Sequence, residues 1–348
     1  MLEFETRAPT GQFTASMVPG SDHDGVQCAV PEPVSRRYEA LFQLGCSLKS
    51  GCYSFTTVTP ATHKRINARA GNFYSSDVTG IFGWSRSFAP AEISNVLLRN
   101  MVLAEVIDQV DQPNWRLTVR ASTLEGQLYF HSAFPTNEKN AVFFGPDTYR
   151  FVRALRAQLT LDQPGIGRAV DIGCGAGPGA ISIALRYPEA MVFAVDINPA
   201  ALALTRVNAR LAGATNLVAA ESNLLHGLDG EFDLIVSNPP YLLDGEERAY
   251  RHGGGELGAG LSIEVVRCAM DRLAPGGTLM LYTGVAIVAN RDPFLAEIQA
   301  MLGGSGFHWS YEEIDPDVFG EELDEAPYKY TDRVAAVWLC ATRPGLAP

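Results

Sequence analysis

Val170-Asp171-Ile172-Gly173-Cys174-Gly175-Ala176-Gly177-Pro178-Gly179-Ala180 decides the fold. An apolar strand over residues 168–172 runs straight into glycines at alternate positions and then into residues that open a helix. Glycine lets the backbone turn sharply and come close to a ligand, and a helix that starts there points free N–H groups at it. Packing a strand on a helix does not call for so many glycines, so the loop reads as a ligand cradle. Onward from it, short apolar strands at 191–196, 216–220 and 232–237 alternate with helical stretches, the pattern of a parallel sheet with crossover helices. A helix over 261–273, the turn Pro275-Gly276-Gly277 and a strand over 278–283 follow. Two late strands, 309–314 and 333–341, have no helical pattern between them. The expected fold is therefore α/β, a doubly wound, Rossmann-like, mostly parallel sheet that ends in an antiparallel hairpin.

Upstream the pattern differs. Residues 1–32 are rich in Gly, Ser, Pro, Thr and Asp without hydrophobic period and read as a flexible arm. Helices are expected over 35–44 and 91–110, the second with an apolar stripe of Ile93, Val96, Leu97, Met101, Ala104 and Ile107. Alternating runs at 115–122 and 128–134 flank Glu125-Gly126 and predict a hairpin. A smaller α+β accessory domain over 33–140, for substrate recognition, thus precedes a catalytic domain over 141–348.

The composition narrows the function. A hydrophobic fraction of 47% in 348 residues allows a large buried core, and a net charge of −12 disfavours non-specific binding to a phosphate backbone. The start of the chain lacks a basic stretch followed by an apolar run, and no apolar segment is long enough to span a bilayer, so a cytoplasmic protein without membrane partners is expected. The cysteines at 28, 46, 52, 174, 268 and 340 form no C-x-x-C pair and the six histidines form no H-E-x-x-H, so no metal is expected.

The nature of the bound group turns on two carboxylates. Gly175-Ala176-Gly177-Pro178-Gly179-Ala180 satisfies the dinucleotide fingerprint G-x-G-x-x-A, and Asp196, closing the second strand, suits a ribose diol of either a nicotinamide or an adenosylmethionine cofactor. Asp171 separates the two. A carboxylate two residues before the first glycine suits a sulfonium amino acid with its ammonium group and repels a pyrophosphate. Residues 170–179 with Asp196 resemble the S-adenosyl-L-methionine signature of class I methyltransferases. The resemblance implies contacts from Asp171, Gly173, Gly175 and Gly177 near the methionine part and from Asp196 to the ribose. Phe143-Phe144-Gly145-Pro146-Asp147-Thr148 is similar to the Pro-Asp/Glu-Thr element of some of these enzymes, which implies that Asp147 and Thr148 help cover the cofactor. Where the family often has an acidic residue near the adenine amino group, this chain has Asn223, with Glu221 and Ser222 as alternative contacts.

The fourth strand runs into Ser237-Asn238-Pro239-Pro240-Tyr241 at the sheet edge where α/β proteins hold ligands. Two prolines remove N–H donors, leaving carbonyls, the Asn238 amide oxygen and an aromatic face. An amide or aryl amino nitrogen is a poor nucleophile because its lone pair is delocalised, and acceptors gripping its hydrogens restore a directed lone pair. Asn238 and the Pro239 carbonyl are the expected grip and Tyr241 the stacking surface, with orientation supplying most of the rate. The motif resembles that of the Asn-Pro-Pro-Tyr amino-methyltransferases, which include release-factor glutamine methyltransferases and adenine or guanine amino-methyltransferases. The likeness spans about residues 141–345, and His252-Gly253-Gly254-Gly255-Glu256-Leu257-Gly258 and Ala274-Pro275-Gly276-Gly277 are similar to segments of the glutamine branch. It implies a glutamine-containing loop of a protein as partner. RNA is the alternative acceptor, with Arg36, Arg37, Lys49, Lys64, Arg65 and Arg69 available for it and the acids of 315–325 against it if they border the site. Of different class are a nicotinamide oxidoreductase and a silent binding module. Arg251 and His252 are further candidates for substrate contact.

Overall fold

The computed structural model describes residues 35–345 apart from 137, 160–164, 247 and 249. The arm expected over 1–32 lies outside the described residues. The first part holds α1 (Arg36–Ser50), α2 (Pro60–Asn67), α3 (Asn95–Leu103), β1 (Ile107–Gln109), β2 (Trp115–Leu117), β3 (Val119–Leu124) and β4 (Gln127–Ser132). Then come α4 (Pro146–Gln158), β5 (Arg168–Ile172), α5 (Pro178–Arg186), β6 (Met191–Asp196), α6 (Pro199–Ala212), β7 (Leu217–Glu221) and β8 (Phe232–Ser237). The chain ends with α7 (Gly260–Arg272), β9 (Leu273–Ile287), α8 (Pro293–Leu302), β10 (His308–Asp315) and β11 (Arg333–Thr342).

The seven-stranded sheet has the order β10-β11-β9-β8-β5-β6-β7, parallel from β9 to β7 and antiparallel at β11 and β10. The doubly wound sheet and its antiparallel end are as the patterning predicts. β5 lies centrally, with the chain running out to β6 on one side and β8 on the other, and such a switch point opens a crevice at the carboxyl ends of the strands. Residues 274–277 bulge out: Phe232 pairs with Leu273 and Leu234 already with Thr278. The helix α8 was not expected from the pattern. Asp292 caps it by accepting from the Leu295 N–H, Pro293 starts it, and Phe294, Ile298 and Leu302 are buried in the core beside β9.

One long helix over 91–110 does not form. Ser94 caps α3 through its Oγ, accepting from the Leu97 N–H, and Glu105 turns left-handed at φ 54°, so the chain reverses into β1. The apolar stripe is cut accordingly: Met101 and Ala104 are buried, whereas Val96 is 65% exposed. The hairpin β3–β4 forms as expected, with φ positive at both Glu125 and Gly126, the geometry that matches strand twist in a two-residue turn. Asn208 of α6 ties this hairpin to the glycine loop. Its Oδ1 accepts from the Phe130 N–H (2.8 Å) and its Nδ2 donates to the carbonyls of Phe130 (3.0 Å) and Ala176 (2.9 Å), all buried. Three satisfied bonds on a fully buried amide fix the relative placement of hairpin, helix and loop.

Candidate active site

Sheet register brings the two motifs together. Ile172 of β5 stands opposite Val195 of β6 and Ser237 of β8, so Gly173, Asp196 and Asn238 leave the sheet side by side. The Ser237 hydroxyl donates to the Ile172 carbonyl at 2.8 Å and locks the exit of β8 to that of β5. On the other side the N–H groups of Gly173 and Cys174 both reach the Val195 carbonyl, at 2.8 and 2.9 Å. The loop then folds over Asp196, whose carboxylate accepts from Gly175 N–H and Asn198 N–H, both at 2.9 Å. Burial raises the Asp196 carboxyl above its ordinary value, while those N–H groups work in the opposite direction.

A cavity of about 170 Å³ lies over these strand ends, with Gly173, Gly175, Asp196, Ser222, Asn223 and Asn238 among its lining. Gly173 and Gly175 are left-handed, at φ 69° and 56°, and a Cβ on either would project into open space. The backbone is thus bare on the side that faces the cavity, as a cradle for a ligand requires. Asn223 is exposed on the wall beside buried Ser222, whose Oγ accepts from the Gly227 N–H at 2.9 Å. Glu221 is not part of the lining. Ile197, 55% exposed, and Leu224 supply apolar wall; neither was singled out in the sequence, although Ile197 directly follows Asp196 at the strand end. Thr148 lines the cavity and its Oγ1 accepts from the Gly145 N–H at 3.2 Å.

Two expected contacts lie behind the cavity wall. Asp171 is 2% exposed and its Oδ2 accepts from the Ala180 N–H at 2.8 Å, so it shapes the loop and the start of α5 rather than lining the cavity. Gly177, at φ 85°, packs on Thr205, where a Cβ would come within 2.9 Å of the threonine methyl. Its glycine character serves the turn and the close approach of α6. Burial pushes the Asp171 carboxyl up to about 7, the Ala180 N–H opposing and the Asp196 charge adding to the rise. A folded-state value above the ordinary 3.8 means that the protonated form favours the fold. That contribution is complete below the ordinary value and is lost as pH rises to about 7. Asp171→Asn keeps an oxygen for Ala180, so its unfolding free energy in urea titrations is expected to gain on that of the unsubstituted protein between about pH 4 and pH 8. Parallel pH curves for the two proteins would contradict this.

Asn238 also lines a second, smaller cavity of about 60 Å³, together with Asp147, Pro239, Tyr241, Arg251 and Phe319. Asn238, Pro240, Phe143 and Tyr250 belong to both walls. Asp147 therefore stands on the second cavity and not on the larger one that it was expected to cover. It is 3% exposed, and its carboxylate accepts from the hydroxyls of Tyr241 (2.6 Å) and Tyr282 (2.9 Å) and from Arg150 (3.0 Å). Burial raises the Asp147 carboxyl, the three donors lower it, and burial holds the Tyr241 phenol well above its ordinary value, so the hydroxyl stays a donor. Tyr241 lies against Gly284 of β9, where a Cβ would meet its ring at 2.3 Å, and makes an edge contact with Phe319 at 5.8 Å.

The glycines of 253–260 explain why the segment after the motif looks as it does. A Cβ on Gly253 would fall 2.7 Å from the Pro240 carbonyl oxygen, and one on Gly258 2.2 Å from that of Tyr241. Backbone presses on backbone here, and the Asn-Pro-Pro-Tyr loop is held from outside.

A doubly wound sheet with a glycine cradle, a carboxylate closing the second strand of the crevice and an acceptor-rich loop at one switch point defines an adenosylmethionine site, and the bare cradle, Asp196 and the apolar Ile197 fit that cofactor. The Methyltransferase small domain family matches residues 152–293. The release factor glutamine methyltransferase of Deinococcus radiodurans is 33% identical over 210 residues, 57% of this chain and 70% of that protein. That of Neisseria gonorrhoeae is 32% identical over 251 residues, 66% of this chain and 86% of its own length. The ribosomal RNA small subunit methyltransferase C of Pasteurella multocida is 37% identical over 125 residues, 35% of this chain and 34% of that protein. The chain belongs to the class I S-adenosylmethionine-dependent methyltransferases, in their small-domain group. It is an enzyme, and S-adenosylmethionine, not a nicotinamide dinucleotide, is its cofactor.

Proposed function

We propose that this methyltransferase acts on a primary carboxamide, the side-chain amide of a glutamine in a protein. The observation that carries it is Asn238, which stands on the wall common to the two cavities. A group in the smaller cavity meets there whatever occupies the larger one. The Asn238 oxygen and the Pro239 carbonyl are two acceptors for the two hydrogens of an amide nitrogen, and the prolines contribute no competing donor. When bound, S-adenosylmethionine supplies an electrophilic methyl carbon on a sulfonium. Gripping both hydrogens turns the nitrogen lone pair out of the amide plane, and the nitrogen becomes acidic as it gains the methyl, so no strong base is required beforehand. In the larger cavity, Asp196 would hold the ribose, Asn223 or Ser222 the adenine edge, and Gly173 and Gly175 the methionine part. Thr148 would close it from above. Asp171 and Gly177 would act from behind by setting the loop, and Asp147 by fixing Tyr241 as a wall for the planar acceptor. Residues 33–140 are proposed as the part that receives the acceptor protein.

The names of the two longer relatives support glutamine, and that of the ribosomal relative supports RNA. Against the second stands the loop that carries Phe319. It also carries exposed Asp317, Glu321, Asp324 and Glu325, which repel a phosphate backbone approaching the smaller cavity. The test is transfer of isotopically labelled methyl from the cofactor to a glutamine-containing loop peptide, to intact cellular protein and to ribosomal RNA, with the modified atom located by mass spectrometry. A methyl on a glutamine side-chain nitrogen is expected. Label in RNA with none in protein would overturn the proposal.

A further inference from the structure

The acceptor-rich motif accounts for the two hydrogens of a carboxamide and leaves its oxygen without a partner. Among the groups lining the smaller cavity, the Asn238 Nδ2 belongs to the same amide whose oxygen grips the hydrogens, and the tyrosine hydroxyls are spent. The Tyr241 hydroxyl donates to Asp147 and the Tyr250 hydroxyl to the Thr136 carbonyl, at 2.6 and 2.7 Å. Pro239 and Pro240 have no N–H, and the Leu242 N–H goes to the Arg251 carbonyl at 3.1 Å. Arg251 is different. Its Nε pairs with Asp244 at 3.4 Å and its Nη2 with Glu322, while its Nη1 makes no hydrogen bond among the described residues and is not sealed from solvent. The two carboxylates that hold it are themselves buried, Asp244 at 7% and Glu322 at 6% exposure. The backbone is fixed too: the Gly253 N–H reaches the Leu242 carbonyl at 2.8 Å, and Leu242 bridges His252, so Arg251 runs beside the Pro-Pro-Tyr segment. His252, by contrast, turns its Nδ1 to the Asp244 N–H at 3.2 Å and is not part of the cavity wall.

We infer that Arg251 is a specificity-determining residue that donates from Nη1 to the carbonyl oxygen of the acceptor amide. The inference rests on the glutamine proposal above and deepens it. A guanidinium clamped on two sides offers its remaining N–H groups in a fixed direction, and a charge-assisted bond to the amide oxygen selects a carboxamide over an aryl amine, whose nitrogen has no carbonyl beside it. Discrimination of this kind follows because an acceptor without a carbonyl oxygen forgoes that charge-assisted bond.

The experiment compares the full chain with Arg251→Met, Arg251→Lys and Glu322→Gln on a glutamine peptide, on the same peptide with sulfur in place of the amide oxygen, and on a peptide carrying an aryl amine. Affinity for adenosylhomocysteine by calorimetry reports the integrity of the fold. Arg251→Met is expected to lower kcat/KM on the glutamine peptide about 10- to 100-fold with cofactor affinity unchanged, and Arg251→Lys to recover part of it. Sulfur, a weaker acceptor, is expected to cost the unsubstituted enzyme about tenfold and Arg251→Met almost nothing, a difference that a purely structural role does not produce. Glu322→Gln keeps the cation and is expected to change kcat/KM less than Arg251→Met. Glutamine methylation that is indifferent to Arg251, or an equal sulfur effect in both proteins, overturns the assignment and leaves the glutamine proposal standing. Methylation of the aryl amine or of RNA with no turnover on glutamine overturns both.

Discussion

Replacing Asn238 with alanine is expected to lower kcat by about a thousandfold while adenosylmethionine affinity stays within about threefold. The side chain stands at the boundary between the cavities, and its loss removes a hydrogen-bond acceptor without touching the cradle, Asp196 or the apolar walls of the larger cavity. The backbone stays put because Ser237 is bonded to Ile172 on one side and the prolines constrain the other. Single-turnover kinetics with calorimetry of the cofactor separate the two quantities. A parallel loss of both would make Asn238 a structural residue, and an unchanged kcat would remove the amide grip from the chemistry.

Gly258→Ala is expected to cost about 3 kcal/mol of stability and most of the activity, although the residue lines neither cavity. Its φ is 86°, and the added Cβ would sit 2.2 Å from the Tyr241 carbonyl oxygen and 3.1 Å from the Leu242 carbonyl carbon. These are backbone atoms of the acceptor loop and cannot swing aside as a side chain does. Gly254→Ala is the control: it shares a left-handed φ of 66°, but its Cβ would meet nothing nearer than a His252 nitrogen at 4.0 Å. It should lose only the local backbone cost of about 1 kcal/mol. Urea unfolding of both variants beside methyl-transfer rates checks the pair. Equal losses would mean that the glycine segment does not brace Pro240 to Leu242.

Much of the fold is legible in the sequence. The strands at 168–172, 191–196 and 232–237 begin and end where the apolar runs do, since a strand buried on both faces has to be apolar throughout and glycine or proline marks its exit. The placement of the glycine loop, Asp196 and Asn238 is local in the same sense, because each sits at the carboxyl end of a strand whose place in a parallel sheet is implied by alternation with helices. The hydrophobic period over 91–110 does not set the helix, since a serine cap and a left-handed glutamate fix the ends of α3.

What the amino-acid sequence determined by itself is the order of parallel strands and helices and the chemistry gathered at their ends, because periodicity and turn residues act over a few positions along the chain. Only the tertiary structure decided that Asp171 and Gly177 stand behind the cradle, that Asp147 holds Tyr241 across 94 residues of sequence, and that Arg251 lines the smaller cavity while paired with Asp244 and Glu322. Such pairings depend on which face of an element is covered and by what, and burial of a charge against a distant partner leaves no periodic mark on the chain that carries it.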